Sequence, residues 1–156
     1  ETLGLASARF LCADFIAWME QSTERFDLCL ASGVLYHMTD PLKMIGLACA
    51  RADAVYVWTH YYDESLIRSN AAQAHRFGAS ADLEWGGFRA RGIHRSYGAQ
   101  AWNPLHLGGE APYSYWLTRD DILSAFRFHG FTDIAIGPED LRHPAGPAFC
   151  LLARRA

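Results

Sequence analysis

The stretch FDLCLASGVLYHMTDP, Phe26–Pro41, places a buried-strand pattern, a glycine and a helix start one after another. Phe26 to Ala31 is apolar apart from Asp27, the pattern of a parallel strand covered on both faces and therefore central in its sheet. Asp40 suits a helix N-cap, and Pro41 suits the first helical position, where an N–H would go unused. Leu42, Ile45 and Cys49 then recur on one helical face. Strand, loop and helix follow in order, with Ser32, Gly33, Tyr36 and His37 in the loop.

Downstream, DAVYVWTHYY (Asp53–Tyr62) is a second β-branched and aromatic strand, so the helix between the two makes a βαβ unit. Upstream, ARFLCAD (Ala8–Asp14) reads as a short strand whose last residue caps a helix through Phe15, Ile16, Trp18 and Met19. From Asp63 to Gly109 the pattern loosens into a helix around Leu66–Phe77 and then a Gly- and Arg-containing stretch rich in Trp and Tyr. This span exceeds an ordinary βα connection, which predicts an insertion or lid at about 63–109. Thr118 with Asp121 resembles a capping box ahead of Ile122, Leu123, Ala125 and Phe126, with Gly130 as the stop. TDIAI (Thr132–Ile136) and AFCLLA (Ala148–Ala153) read as a closing antiparallel strand pair.

The 156 residues, 51% apolar and 20% charged, suffice for one domain with a real core. No apolar run approaches the roughly 20 residues a bilayer requires, and the first residues lack a basic-then-apolar export signal. No membrane association and a cytoplasmic location are therefore expected. Cys12, Cys29, Cys49 and Cys150 stand far apart among apolar neighbours and read as reduced core thiols. A net charge of -3 argues against a surface that is wholly an electrostatic trap for nucleic acid, while leaving room for a local basic patch.

In open α/β sheets ligands bind beyond the carboxyl ends of the strands, here Asp14, Ser32–His37 and His60–Asp63. The segment FDLCLASGVLYHMTDPL resembles the fourth-strand motif of class I S-adenosylmethionine-dependent methyltransferases, and ARFLCADF resembles the third strand and its acidic residue. The closing helix and antiparallel pair match that family's C-terminal half, so the resemblance covers most of the chain outside 63–109. It implies a Rossmann-like, mostly parallel α/β sheet with a C-terminal antiparallel strand pair, and S-adenosylmethionine as cofactor. It further implies that Asp14 contacts the adenine amino group, that Phe15 helps enclose the ring, and that Ser32 and Gly33 border the methionine part. Asp14 as a simple helix cap is an equal alternative.

The departure from the family is a missing glycine-rich first turn. The pairs Gly86-Gly87 and Gly108-Gly109 do not read as following strands, and the first two strands are absent. With a first residue of Glu1 rather than Met, the reading is a partial domain: a rearranged half, a swapped homodimer, a piece of a longer protein, or a chain whose partner supplies the missing strands.

Methyl transfer from a sulfonium is an in-line displacement that needs a base only when the acceptor must lose a proton. His37 and His60, both at strand ends, are the candidate bases. Tyr36, Tyr61, Tyr115 and Trp116 are candidate acceptor-binding residues, with Tyr62 and Tyr113 beside them. Trp85, Phe88, Arg89, Arg91, His94, Arg95, Tyr97 and Trp102 interleave aromatic and basic groups, a mixture suited to stacking bases or gripping an anionic acceptor. His60, Asp63 and Glu64 are metal-ligand types whose spacing matches no strong site, so no metal is expected. The leading expectation is methyl transfer to a small-molecule or sugar-like acceptor. The alternatives are an RNA-alkylating enzyme, because Gly33–His37 also looks like the corresponding run in enzymes acting on the tRNA wobble uridine, and a non-catalytic binding or scaffolding half-domain.

Overall fold

Asp14 opens the first helix, α1 (Phe15–Gln21), by accepting hydrogen bonds from the N–H groups of Ile16 at 2.8 Å and Ala17 at 3.3 Å. The computed structural model describes residues 8–98 and 111–155. Residues 8–14 form no strand, contrary to the sequence expectation, because a strand needs a ladder partner and none lies beside them among the described residues. After α1 come β1 (Phe26–Ser32), a 3-10 turn (Leu35–His37), α2 (Pro41–Arg51) and β2 (Ala52–His60). Asp40 caps α2 through the N–H of Lys43 at 2.9 Å, with Pro41 in the first turn as its sequence implied.

The expected long helix after Asp63 is two short ones, α3 (Glu64–Ser69) and α4 (Ala71–Ala74), broken at Asn70. The rest of the described insertion is a hairpin of β3 (Phe77–Trp85) and β4 (Phe88–Ser96), turned by Gly86 and Gly87 at φ +59° and +90°. Gly86-Gly87 therefore does follow a strand, but it leads into an antiparallel partner rather than a helix, so it offers no phosphate-binding helix end. The hairpin tip rests on α2, where Trp85 lies against Gly46 and under the Lys43 ammonium, 5.3 Å from its ring. Gly108-Gly109 and Trp102 lie outside the described residues.

The segment before the closing helix begins as a strand, β5 (Tyr113–Trp116), completing a three-stranded antiparallel sheet β3-β4-β5. Thr118 then caps α5 (Arg119–Phe128): its hydroxyl accepts from the Asp121 N–H at 3.1 Å and donates to the Asp121 carboxylate at 2.6 Å. Two long strands, β6 (Asp133–Asp140) and β7 (Ala148–Arg154), close the chain as an antiparallel pair.

The main sheet has the order β1-β2-β7-β6. Within it only β1 and β2 are parallel, so the sheet is mixed rather than mostly parallel. Ala31, Val55, Val57, Phe149, Leu151 and Ala153 form the inner face of the core, met by Ile45 of α2 and by Ile122 and Phe126 of α5. Strand β1 lies at the sheet edge and not at its centre. On its outer face Leu28 is 51% and Leu30 68% exposed, against the expectation of cover on both sides. The cysteines are all free thiols; Cys49 and Cys150 are buried as expected, Cys29 is half-buried, and Cys12 is exposed in the irregular segment before α1. No helix among the described residues is long and apolar enough to cross a membrane.

Candidate functional site

The parallel pair directs the carboxyl ends of β1 and β2 to one edge of the sheet, and there the chain gathers its aromatic and imidazole side chains. At the end of β1, Gly33 turns with φ +76° while its N–H donates to the Trp58 carbonyl at 2.9 Å. A residue with a Cβ resists this left-handed conformation, so glycine suits the corner. The Tyr36 hydroxyl stands over it, 3.8 Å from where a Cβ would lie. The Tyr36 ring meets His37 at 4.2 Å, His60 at 4.6 Å, and Trp58 and Trp116 each at 6.1 Å between centroids.

His60 is the centre of this cluster, with 4% of its surface exposed. Its ring stacks parallel to Trp116 at 5.3 Å and meets Trp58 and His143 edge-on at 5.2 and 4.8 Å. Its Nδ1–H donates to the carbonyls of Gly146 at 2.9 Å and Pro147 at 3.3 Å, which leaves the lone pair on Nε2. Burial lowers its pKa to about 4 despite these two carbonyls, and the charges of His143 and Arg95 act in the same direction as burial. His60 is thus neutral at physiological pH and a weak proton acceptor.

His37 is better placed for proton handling. Its Nδ1 lies 2.8 Å from the Tyr97 hydroxyl, which in turn reaches the buried Ser114 hydroxyl at 3.2 Å. With Nδ1–H donating to Tyr97 and Tyr97 donating to Ser114, the network leaves Nε2 of His37 as the acceptor. Burial, with a smaller contribution from Arg95, lowers its pKa below the ordinary imidazole value. The Tyr36 phenol is raised, chiefly by burial, and remains protonated as a donor.

Two predicted acceptor residues stand elsewhere. Tyr61 follows β2 on the opposite side from His60; it is buried against Phe149 and donates to Glu139 at 2.9 Å, which makes it a core residue. Tyr115 alternates with Ser114 and Trp116 along β5, and so faces His94 and Tyr113 away from the cluster. Trp116 does join the site: it is the floor beneath His60, and its indole N–H donates to the Tyr36 carbonyl at 3.0 Å. Asp14 is committed to its helix only through Oδ1, since both capping bonds end on that oxygen and Oδ2 takes part in neither. Phe15 is exposed beside it.

Sequence reasoning did not single out Trp58, His143, Tyr97 with Ser114, or the particular role of Arg95. Trp58 was legible in principle, as the residue two before a strand-end histidine and on the same face. The Arg89, Arg91 and Arg95 series divides in the fold. Arg89 pairs with Glu84 at 2.7 Å and Arg91 donates to the Ser80 hydroxyl at 2.6 Å. Both line an open groove of about 940 Å³ that also carries Glu64, Asp82, Glu84 and Asp121. Arg95 instead is buried beneath the cluster, its guanidinium 4.9 Å from the Tyr97 ring and 5.1 Å from that of Trp116.

No family model and no curated protein sequence matches the chain. Among solved structures it is similar to the N-terminal domain of EvdMO1 crystallised in the presence of SAH and D-fucose, with a TM-score of 0.58 and 23% identity over 88% of this chain and 52% of that one. The same domain with SAH bound matches at the same score and identity, covering 88% of this chain and 51% of that one. The chain thus spans about half the length of these domains, and the likeness is one of fold.

Proposed function

We propose that the chain is part of an S-adenosylmethionine-dependent methyltransferase domain, with Asp14, Phe15, Ser32 and Gly33 on its cofactor side and a small-molecule, sugar-like acceptor as substrate. The observation that carries this reading is the Gly33 corner with the Tyr36 hydroxyl over it, at the carboxyl end of a strand whose sheet resembles that of the SAH-bound domain. The residues fit the cofactor: Gly33 keeps a side chain out of the corner, and Oδ2 of Asp14 is open to a donor such as an adenine amino group. That the neighbouring domain was crystallised in the presence of D-fucose as well as SAH favours a sugar-like acceptor.

The cofactor supplies an electrophilic methyl group when bound. The chain's own part is positioning: the Tyr36 hydroxyl orients the acceptor, the wall of Trp58, His60 and Trp116 excludes water, and His37 takes the acceptor's proton at Nε2 while Tyr97 and Ser114 fix its ring. An RNA acceptor is the weaker reading, because the groove along the hairpin mixes four carboxylates with its arginines and repels a phosphate backbone. The open edge of β1 favours a second reading, a non-catalytic half-domain completed by a partner's strands. Calorimetric titration of the chain with S-adenosylhomocysteine separates the two. Saturable binding, weakened at least ten-fold by Gly33→Val, supports the enzyme reading. No heat at millimolar ligand, together with a dimer or hetero-complex in sedimentation, supports the half-domain.

A further inference from the structure

Among the described residues Arg95 is a cation with no counter-ion, in the part of the fold where the chemistry is expected. It is 7% exposed, its Nε is sealed without a hydrogen-bond partner, and it enters no ion pair among the described residues. Two aromatic faces hold the guanidinium, and Arg76, whose Nε is likewise buried without a partner, adds positive charge instead of relieving it. A buried, uncompensated charge is costly, and a fold retains one where a ligand supplies the missing partner. The guanidinium lies against the Trp116 ring that stacks on His60 and the Tyr97 ring that stacks on His37, so a ligand reaching it sits in the same cluster.

We propose that Arg95 is the anchor for a carboxylate on the acceptor, and that the acceptor is therefore an acidic small molecule such as a uronic acid, seated against the half-buried Tyr36. The planar guanidinium fork matches a carboxylate in two parallel hydrogen bonds. A phosphate demands more donors than one guanidinium clasped between rings offers. The hairpin's other two arginines, Arg89 and Arg91, are engaged by Glu84 and Ser80, so the selectivity lies in this one side chain. The inference rests on the methyltransferase reading and narrows its substrate class.

The test is thermal-shift and calorimetric titration of the whole chain with D-glucuronate, D-glucose, inorganic phosphate, S-adenosylhomocysteine and 5′-methylthioadenosine, for the wild type, Arg95→Met and Arg95→Lys, with circular dichroism confirming that each variant folds. The expected result is saturable binding of glucuronate but not glucose or phosphate, weakened at least ten-fold in Arg95→Met and less in Arg95→Lys. Equal responses to glucuronate and glucose, stronger binding of phosphate, or glucuronate binding indifferent to Arg95→Met overturns the proposal. So does a loss in Arg95→Met of affinity for S-adenosylhomocysteine but not for methylthioadenosine, because the carboxylate received is then the cofactor's own. Binding of S-adenosylhomocysteine without glucuronate sinks the proposal alone, whereas glucuronate binding without S-adenosylhomocysteine sinks the methyltransferase reading and leaves the anion site standing.

Discussion

Acidification should weaken this fold through its buried histidines, His60 above all. Burial holds the imidazole at about 4, against 6.5 for an exposed histidine, and no carboxylate among the described residues stands by to balance an added charge. A group whose folded pKa is depressed leaves the unfolded chain binding more protons between the two values, so stability is complete above about pH 6.5 and falls as pH drops towards 4. The difference is worth roughly 3 kcal/mol, a large share of the 5–15 kcal/mol typical of a domain. Urea denaturation at closely spaced pH values between 7.5 and 4 measures it, with His60→Asn as the control, because the asparagine amide can replace the Nδ1–H donor to Gly146 without titrating. His37 and His129 are also depressed by burial, but they are present in both proteins and cancel in the comparison. The wild type should lose about 3 kcal/mol more than His60→Asn over that window, whatever the variant costs at pH 7.5. Parallel profiles, or an NMR titration of the His60 ring with its midpoint near 6.5, would refute the assignment of a buried neutral imidazole.

Gly46→Ala reverses the usual sign for a helical glycine. An exposed helix gains about 1 kcal/mol from this change, but here the new Cβ overlaps the Trp85 indole and crowds His129, so urea denaturation should show a loss. Gly33→Ala has room for its methyl, yet should cost about 1–2 kcal/mol from the φ of +76° alone, seen as a fall in Tm of several degrees. Tyr97→Phe strands the buried Ser114 hydroxyl and releases His37; it should cost about 1–3 kcal/mol in denaturation, and in a methyl-transfer assay lower kcat more than KM.

Local rules carried the sequence reading far where the determinant was local. Asp14, Asp40 and Thr118 each cap the helix their position announced, and the alternation of β2 put Val55 and Val57 inward. The site was legible as strand ends, which is why Gly33, Tyr36, His37 and His60 were named. Tyr61 and Tyr115 were misplaced because a strand sends successive side chains to opposite faces, and one residue of offset separates a pocket from a core. The pairings of His37 with Tyr97 and of Arg95 with Trp116 join residues 60 and 21 positions apart, and no short-range pattern records them. The open faces of the main sheet were also illegible, because an apolar run tells what wants cover and not whether cover is present.

Two discrepancies share one cause. Residues 8–14 carry a strand's composition yet make no ladder, and β1 carries an interior strand's composition yet sits at an edge with Leu28 and Leu30 facing outward. Natural edge strands are protected by lysines, prolines, bulges or shortness, and Phe26–Ser32 has none of the first three and runs a full seven residues. An isolated charge, Asp27, near its start does little to block pairing farther along. The sequence of β1 therefore suits a neighbour on its outer side, and no strand pairs with it there among the described residues. The upstream segment likewise has no strand to bond to among the described residues. The cluster around His60 escapes this dependence: Trp58, Trp116, Tyr36 and His143 enclose it from β2, β5 and two loops of the same chain, so its packing does not depend on a neighbour beside β1.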